Sequence, residues 1–137
     1  MVNQNLVEAI DGELNRLGLE PMRFANMLQV NYQDLFYQFF FLDDDNNSFI
    51  IDVRGVYEMT RENKLDVLQA VNRVNVEMHK VKAYVGNSNE VCLCYEHSVV
   101  DQDTFIPRIV LKSMTELKAG VDAFLQTLDK RATLFTA

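Results

Sequence analysis

Proline, glycine and tryptophan are scarce in this sequence. Two prolines and five glycines are spread over 137 residues, and tryptophan is absent. Flexible linkers between domains are rich in glycine, serine or proline, so one domain is predicted over residues 1–137. Because 48% of the residues are hydrophobic and 24% are charged, the composition is that of a folded globular protein.

The sequence also lacks a long apolar run and a cysteine framework. Its longest strongly apolar segment, Phe39 to Leu42, is far too short to span a bilayer. The residues after Met1 show neither the basic nor the apolar region of a signal peptide. Cys92 and Cys94 are separated by one residue, which in a strand leaves them roughly 7 Å apart, farther than a disulfide usually bridges. We therefore expect reduced thiols and a cytoplasmic protein.

Basic residues are too few and too scattered to bind a polyanion. The chain has 13 lysines and arginines against 20 acidic residues, with a net charge of −7 and a pI of about 4.7. Binding to nucleic acid or to an anionic membrane needs clustered positive charge. Neither nucleic acid nor a membrane is therefore expected as a partner.

The acidic segment 43–47 invites comparison with a calcium-binding loop. Asp43, Asp45 and Asn47 stand at the first, third and fifth positions of an EF-hand loop. Such a loop needs glycine at the sixth position and glutamate at the twelfth, where this sequence has Ser48 and Arg54. We interpret the segment as a hairpin turn.

No other pattern in the sequence indicates a metal site or a catalytic site. Cys92, Cys94 and His97 offer three zinc ligands without the usual cysteine spacing or a fourth ligand. No G-x-S-x-G sequence is present, and the glycines are isolated rather than grouped in a phosphate-binding loop. The sequence thus predicts no catalytic residues, no cofactor and no metal, and the protein is not expected to be an enzyme.

Hydrophobic periodicity predicts an α+β fold. Apolar stripes at helical spacing indicate helices over 2–18, from 60 or 63 to 78, and from 103 or 104 to 128. Alternation indicates strands over 22–30, 35–42, 48–54, 80–86 and 90–96. The order α-β-β-β-α-β-β-α predicts a five-stranded antiparallel sheet with packed helices. Gly18 is expected to end the first helix, and Gly120 to mark a kink or a close crossing in the last.

Strand parity predicts a partner-binding surface. If the helices cover one face of the sheet, several large or sulfur-containing side chains share the other face: Phe36, Phe40, Ile50, Tyr84, Cys92 and Cys94. A contiguous apolar patch usually marks an interface. The alternative is that the second helix or the tail with Leu134 and Phe135 covers this face.

Two amides lie beside the apolar stripe of the second helix. Asn72 and Asn75 are three residues apart and so share a helix face. We expect structural roles, with these side chains bonded to backbone groups at strand ends or loops. The alternative is a ligand pocket that also includes Tyr37.

Several segments, in this order, resemble the YbjN-like family, whose fold is that of the type III secretion chaperones. The matching segments are FFFLDDD at 39–45, IIDV at 50–53, AVNRVN at 70–75 and VKAYV at 81–85, with the last helix similar in placement at 121–128. The resemblance implies a non-enzymatic binding domain that holds or regulates protein partners, and that is often a homodimer. The alternative function is a small-molecule sensor or an unrecognised enzyme with a pocket between sheet and helices.

Overall fold

The computed structural model describes residues 4–42, 48–98 and 102–136, with side chains described for 4–42, 48–97 and 108–130. In these residues three helices and six strands follow in the order α1 (Gln4–Arg16), β1 (Met22–Phe24), β2 (Met27–Tyr32), β3 (Leu35–Phe41), β4 (Ser48–Glu58), α2 (Lys64–Glu77), β5 (Val81–Val85), β6 (Glu90–Ser98) and α3 (Gln102–Thr136). The predicted α+β class is confirmed. The predicted turn at 43–47 lies outside the described residues. No helix in the described part of the chain has the length and apolar character needed to cross a membrane.

The sheet has six strands, so the predicted count of five was wrong. The segment 22–30, expected as one strand, folds into β1 and β2 around a turn at Ala25 and Asn26. Ala25 has a φ of 38°, a left-handed conformation that alanine rarely adopts. With neither glycine nor proline at this turn, the usual sequence signal for a hairpin was missing.

Helix α1 ends as its sequence predicts. Leu6, Ile10 and Leu14 are buried along one stripe. Gly18 has a φ of 80°, its N–H bonds the Asn15 carbonyl, and the Leu19 N–H bonds the Leu14 carbonyl. This pair of bonds is the Schellman arrangement, in which glycine stops a helix in the left-handed conformation.

All the strands pair antiparallel in the order β1-β2-β3-β4-β6-β5. Alternate residues of each strand point toward the helices and form the core with α1, α2 and α3. The helix-facing residues of the sheet include Leu28, Val30, Tyr37, Phe39, Phe41, Phe49, Ile51, Val53, Val81, Ala83, Val91, Leu93 and Tyr95. The core therefore lies between one face of the sheet and the three helices.

Gly120 marks a close crossing of α3 over the sheet. A methyl group built at this glycine would lie 2.9 Å from Leu93 Cδ2, 3.0 Å from Val81 Cγ1 and 3.2 Å from Met78 Sδ. Such distances are shorter than carbon atoms normally approach, so a larger residue would have to push α3 away from β5 and β6. The missing side chain lets the helix backbone sit directly on the end of the sheet.

Candidate functional site

The face of the sheet turned away from the helices is the candidate site, and we call it the outer face. No described helix packs on it. The strand residues that form the core with the helices alternate with the residues of the outer face and point the other way. Strand register brings the predicted partner-binding residues to this face: Phe40 pairs with Ile50, Asp52 pairs with Cys94, and Cys92 pairs with Tyr84. Phe36 lies four residues before Phe40 on β3 and so shares its side.

These residues differ widely in exposure. Phe36 is 42% exposed, whereas Cys92 is 1% exposed. Phe40, Ile50 and the remaining predicted residues are partly buried. The exposed apolar part of the outer face is therefore concentrated on the side of β3 rather than over the cysteines.

Two exposed apolar residues of this face were missed by the sequence prediction. Met22 and Phe24 on β1 are 57% and 48% exposed, and Phe24 pairs with Met27 on the outer side. A single strand over 22–30, as the sequence predicted, would place Phe24 on the same side as Leu28, which is 0% exposed in the core. That expectation was wrong because the turn at Ala25 and Asn26 reverses the chain between them.

A polar cluster lies on the half of the outer face that is formed by β4, β6 and β5. Asp52 is 5% exposed. The Tyr84 hydroxyl donates to its two carboxylate oxygens at 3.0 and 2.8 Å, and Arg54 Nε donates to Oδ2 at 3.1 Å. Burial, followed by the bond to Asp52, raises the pKa of Tyr84. The tyrosine therefore stays protonated and keeps donating, which satisfies a carboxylate that is largely removed from water.

The two cysteines do not have the properties of a nucleophile. Both are free thiols. Burial raises the pKa of Cys92, and burial together with the nearby Asp52 raises the pKa of Cys94. A reactive cysteine needs a lowered pKa because the thiolate is the attacking species. These thiols are protonated at neutral pH and act as small apolar side chains.

The third zinc ligand considered from the sequence lies on the other side of the sheet. His97 pairs with Phe49 on the helix-facing side, where its ring lies 5.9 Å from the ring of Phe49 and 6.2 Å from that of Tyr95. It therefore does not converge with Cys92 and Cys94. Among the residues that the structure describes, no group of three or more histidine, cysteine, aspartate or glutamate side chains is placed to hold a metal ion.

His97 is expected to make stability depend on pH. Burial, with Lys80 and Lys112 nearby, lowers its pKa from the ordinary value of 6.5. As the pH falls below 6.5, His97 takes up a proton more readily in the unfolded chain than in the folded chain. The stability that the neutral His97 contributes is therefore fully present above pH 6.5 and is lost as the pH falls through the lowered pKa of the folded state. Urea unfolding at pH 7.5 and at pH 5 should show that the free energy of unfolding falls less between these pH values in His97→Phe than in the wild type.

The control for this measurement is His79→Gln, which removes the other histidine at an exposed position. It should keep the wild-type loss of stability between the two pH values. An equal loss in His97→Phe and the wild type would show that another group is responsible.

The two amides of α2 point to different surroundings. Asn75 bonds the backbone of β5: its Nδ2 donates to the Ala83 carbonyl at 3.0 Å, and its Oδ1 accepts from the Ala83 N–H at 2.7 Å. Asn72 is exposed and lines an open groove of about 830 Å³ between α2 and α3, beside Gln126 and Thr127. The amides therefore do not face one common ligand.

Tyr37 is separated from both amides. It is 0% exposed, its hydroxyl donates to the Met114 carbonyl of α3 at 3.1 Å, and burial raises its pKa to about 12. Tyr37 thus joins β3 to α3 within the core, and it does not line the groove beside Asn72.

The fold is similar to those of several solved structures. YbjN from E. coli has 14% sequence identity and a TM-score of 0.61, and the alignment covers 93% of each chain. A chain of the heterodimeric ExoU–SpcU complex, from the type III secretion system of Pseudomonas aeruginosa, has 19% identity and a TM-score of 0.61 over 88% of this chain and 98% of that one. A chain of the complex between the Yersinia pestis type III secretion chaperone SycH and a stable fragment of YscM2 has 11% identity and a TM-score of 0.52, over 82% of this chain and 98% of that one.

At these identities the likeness shows a shared fold. The comparison with curated proteins finds no significant match. The family model of YbjN, described as "Putative bacterial sensory transduction regulator", matches residues 6–129. The resemblance seen in the sequence is confirmed, and the chain belongs to the YbjN family.

Proposed function

We propose that this protein is a non-enzymatic binding module, chaperone-like or regulatory, that binds a protein partner through the outer face of its sheet. The observation that carries the proposal is that no described helix covers this face, although Phe24 and Phe36 are 48% and 42% exposed on it. A sheet face with large apolar side chains in water is typical of an interaction surface.

The energetic gain from covering this face comes from its apolar side. Fully burying a phenylalanine or methionine side chain stabilises by about 1.5–3 kcal/mol relative to leaving it in water. Met22, Phe24 and Phe36 are the exposed members, and the partly buried Met27 and Phe40 lie among them. Association has an entropic cost that must be offset, so a few well-packed anchors of this kind would dominate binding.

The polar cluster of Asp52, Arg54 and Tyr84 makes one end of the outer face polar, whereas the other end is apolar. Its carboxylate is already bonded within the chain, so a partner does not have to neutralise a bare charge there. The apolar anchors lie toward β1 and the polar cluster toward β5. A partner with apolar side chains at one end and polar groups at the other matches this arrangement.

Two of the structural neighbours support a protein partner. One is a chain of a heterodimer, and another comes from a chaperone held in complex with a protein fragment. By analogy of fold, the partner is a protein segment or a second copy of the chain. A homodimer and a cytoplasmic location, both expected from the sequence, are part of the proposal.

Helix α2 offers a competing apolar surface. Leu65, Leu68 and Val76 are 66%, 42% and 74% exposed on it. Single exposed aliphatic side chains are common on protein surfaces, whereas the outer face combines aromatic side chains on neighbouring strands. One charged variant on each surface separates the two possibilities.

Phe36→Lys is expected to weaken partner binding about tenfold or more, because a charge would enter an apolar contact. Leu65→Lys is the matched control, since it places the same charge at an exposed apolar position of α2. A photo-crosslinking residue at position 36 should capture the partner protein, or a second copy of the chain, while one at position 65 should not. Light scattering after size exclusion then distinguishes self-association from a separate partner.

The opposite pattern would contradict the outer-face proposal. Loss of binding only in Leu65→Lys, or crosslinks only from position 65, would assign the interface to α2. No crosslink from either position, together with a monomer in solution, would remove the physical case for a binding module.

The alternative of a small-molecule sensor or an enzyme has less support. It would be favoured by a closed cavity shared by Tyr37, Asn72 and Asn75. In the structure, Tyr37 bonds α3, Asn75 bonds β5 and Asn72 lines an open groove. These three side chains therefore do not assemble into one pocket.

A further inference from the structure

A recess of about 320 Å³ lies on the outer face beside the turn 86–88, where β4, β6 and β5 adjoin. Arg54, Tyr84 and Glu90 are among the side chains that line it. Glu90 lies two residues before Cys92 on β6 and so shares the outer side of that strand. The recess is separate from any pocket between sheet and helices, because none of its lining residues belongs to a helix.

The positive end of the recess is held in place by a buried carboxylate. Arg54 is exposed, and its Nε donates at 3.1 Å to Oδ2 of Asp52, which is 5% exposed. The Tyr84 hydroxyl donates to the same carboxylate oxygen at 2.8 Å. Because Nε makes the bond to Asp52, the terminal nitrogens Nη1 and Nη2 remain to donate to an acceptor from outside the chain. An arginine that is already fixed loses less side-chain entropy when it binds.

The negative end is Glu90, which forms no ion pair with another described residue. Its Oε2 lies 3.8 Å from a methyl group built at Gly55, and its Oε1 lies 3.4 Å from one built at Gly86. Gly55 directly follows Arg54, so the two opposite charges are near neighbours without being paired. The exposed Glu58 lies directly opposite Glu90 on β4. Like charges in that position destabilise a sheet, and a bound cationic group would relieve their repulsion.

We propose that this recess binds a free α-amino acid, with its carboxylate at Arg54 and its ammonium group at Glu90. A ligand with a carboxylate alone would also face Glu90, and a ligand with a cation alone would also face Arg54, so a ligand with both charges is the best match. The volume is at the lower end of the range for small-molecule sites, about 300–1,000 Å³, which suits a small ligand. The proposal goes beyond partner binding and does not depend on it, since the exposed phenylalanines lie on β1 and β3.

Thermal unfolding of the wild type with each standard amino acid in turn identifies the ligand, because a compound that binds only the native state raises the melting temperature. Two derivatives of that amino acid then serve as probes. The N-acetyl form lacks the ammonium charge, and the carboxamide lacks the carboxylate. By calorimetry, each is expected to bind the wild type about tenfold or more weakly than the parent amino acid, because a hydrogen bond to a charged group is lost.

Two variants assign the ends of the ligand. Arg54→Gln keeps an amide N–H for Asp52 and removes the positive charge, so it should weaken the amino acid about tenfold and leave the affinity of the carboxamide unchanged. Glu90→Gln should weaken the amino acid similarly and leave the affinity of the N-acetyl form unchanged. Lys82→Gln and Glu96→Gln are the matched controls, since they remove exposed charges of β5 and β6 on the outer face that do not line the recess. Both controls should bind the amino acid as the wild type does.

The proposal is overturned by any of three results. One is that no amino acid raises the melting temperature of the wild type. Another is that both derivatives bind the wild type as tightly as the parent, a comparison that decides the case even if Arg54→Gln does not fold. The third is that the control variants weaken binding as much as Arg54→Gln and Glu90→Gln, which would place the ligand elsewhere.

Discussion

Replacement of Phe39 by alanine is expected to lower the free energy of unfolding by about 3–5 kcal/mol, whereas Phe36→Ala should change it by about 1 kcal/mol or less. The two phenylalanines lie three residues apart on β3, on opposite faces of the sheet. Phe39 is 0% exposed and stacks on Phe49 with ring centroids 6.2 Å apart. Phe36 is 42% exposed on the outer face.

Urea unfolding of the two variants measures this difference directly. The loss for Phe39→Ala has two parts, the apolar burial that is lost and the cavity left beside Phe49 in the core. Equal losses for the two variants would mean that the outer face is as well packed as the core. The register of β3 and the proposed binding surface would then both be wrong.

Gly120→Val is expected to lower the free energy of unfolding by about 3 kcal/mol, because added carbon atoms would overpack the crossing of α3 on the sheet. Even a single methyl group there would lie 2.9 Å from Leu93 Cδ2 and 3.0 Å from Val81 Cγ1. Leu93 and Val81 are 0% and 1% exposed, so neither side chain can turn out into solvent to make room without losing its core contacts.

Gly12→Ala is the matched control within a helix, and its effect should have the opposite sign. Apart from its chain neighbours and the backbone of its own helix, no atom lies within 4 Å of a methyl group built at Gly12. Alanine there is expected to raise stability by about 1 kcal/mol through helix propensity. Gly120→Ala gains the same propensity and loses more to overpacking, and a net loss of about 1 kcal/mol is expected. A stabilising Gly120→Ala would show that the crossing of α3 is looser than the distances indicate.

The candidate site was predictable from local pattern wherever the strand was regular. Alternation along β3 and along the two strands at the end of the sheet placed Phe36, Phe40 and Tyr84 on one face, and the register agrees. Met22 and Phe24 were missed because the turn at Ala25 and Asn26 has neither glycine nor proline, and Asn26 is its single turn-forming residue. Phe24, Leu28 and Val30 keep one parity across this turn, which favoured a single strand.

Other features depend on contacts between distant residues. Strand β4 runs to Glu58 rather than to the predicted residue 54, because its pairing with β6 shifts register between Val53 and Tyr57 around Gly55, which has a φ of 68°. Asn75 was expected to bond backbone groups, but its sequence neighbours did not identify Ala83 as the residue bonded. The burial of Cys92 on an otherwise uncovered face also follows from strand pairing.

By itself the sequence determined the helix stripes, the parity of most strands, the glycine stop after α1 and the absence of familiar catalytic patterns. Each of these depends on residues within a few positions of one another, where steric preference and periodicity act directly. Only the tertiary structure decided that all three helices pack on one face, that the other face keeps exposed phenylalanines, and that Asn75 meets the edge of β5. Those outcomes come from the burial of apolar area across the whole chain, which no local pattern specifies.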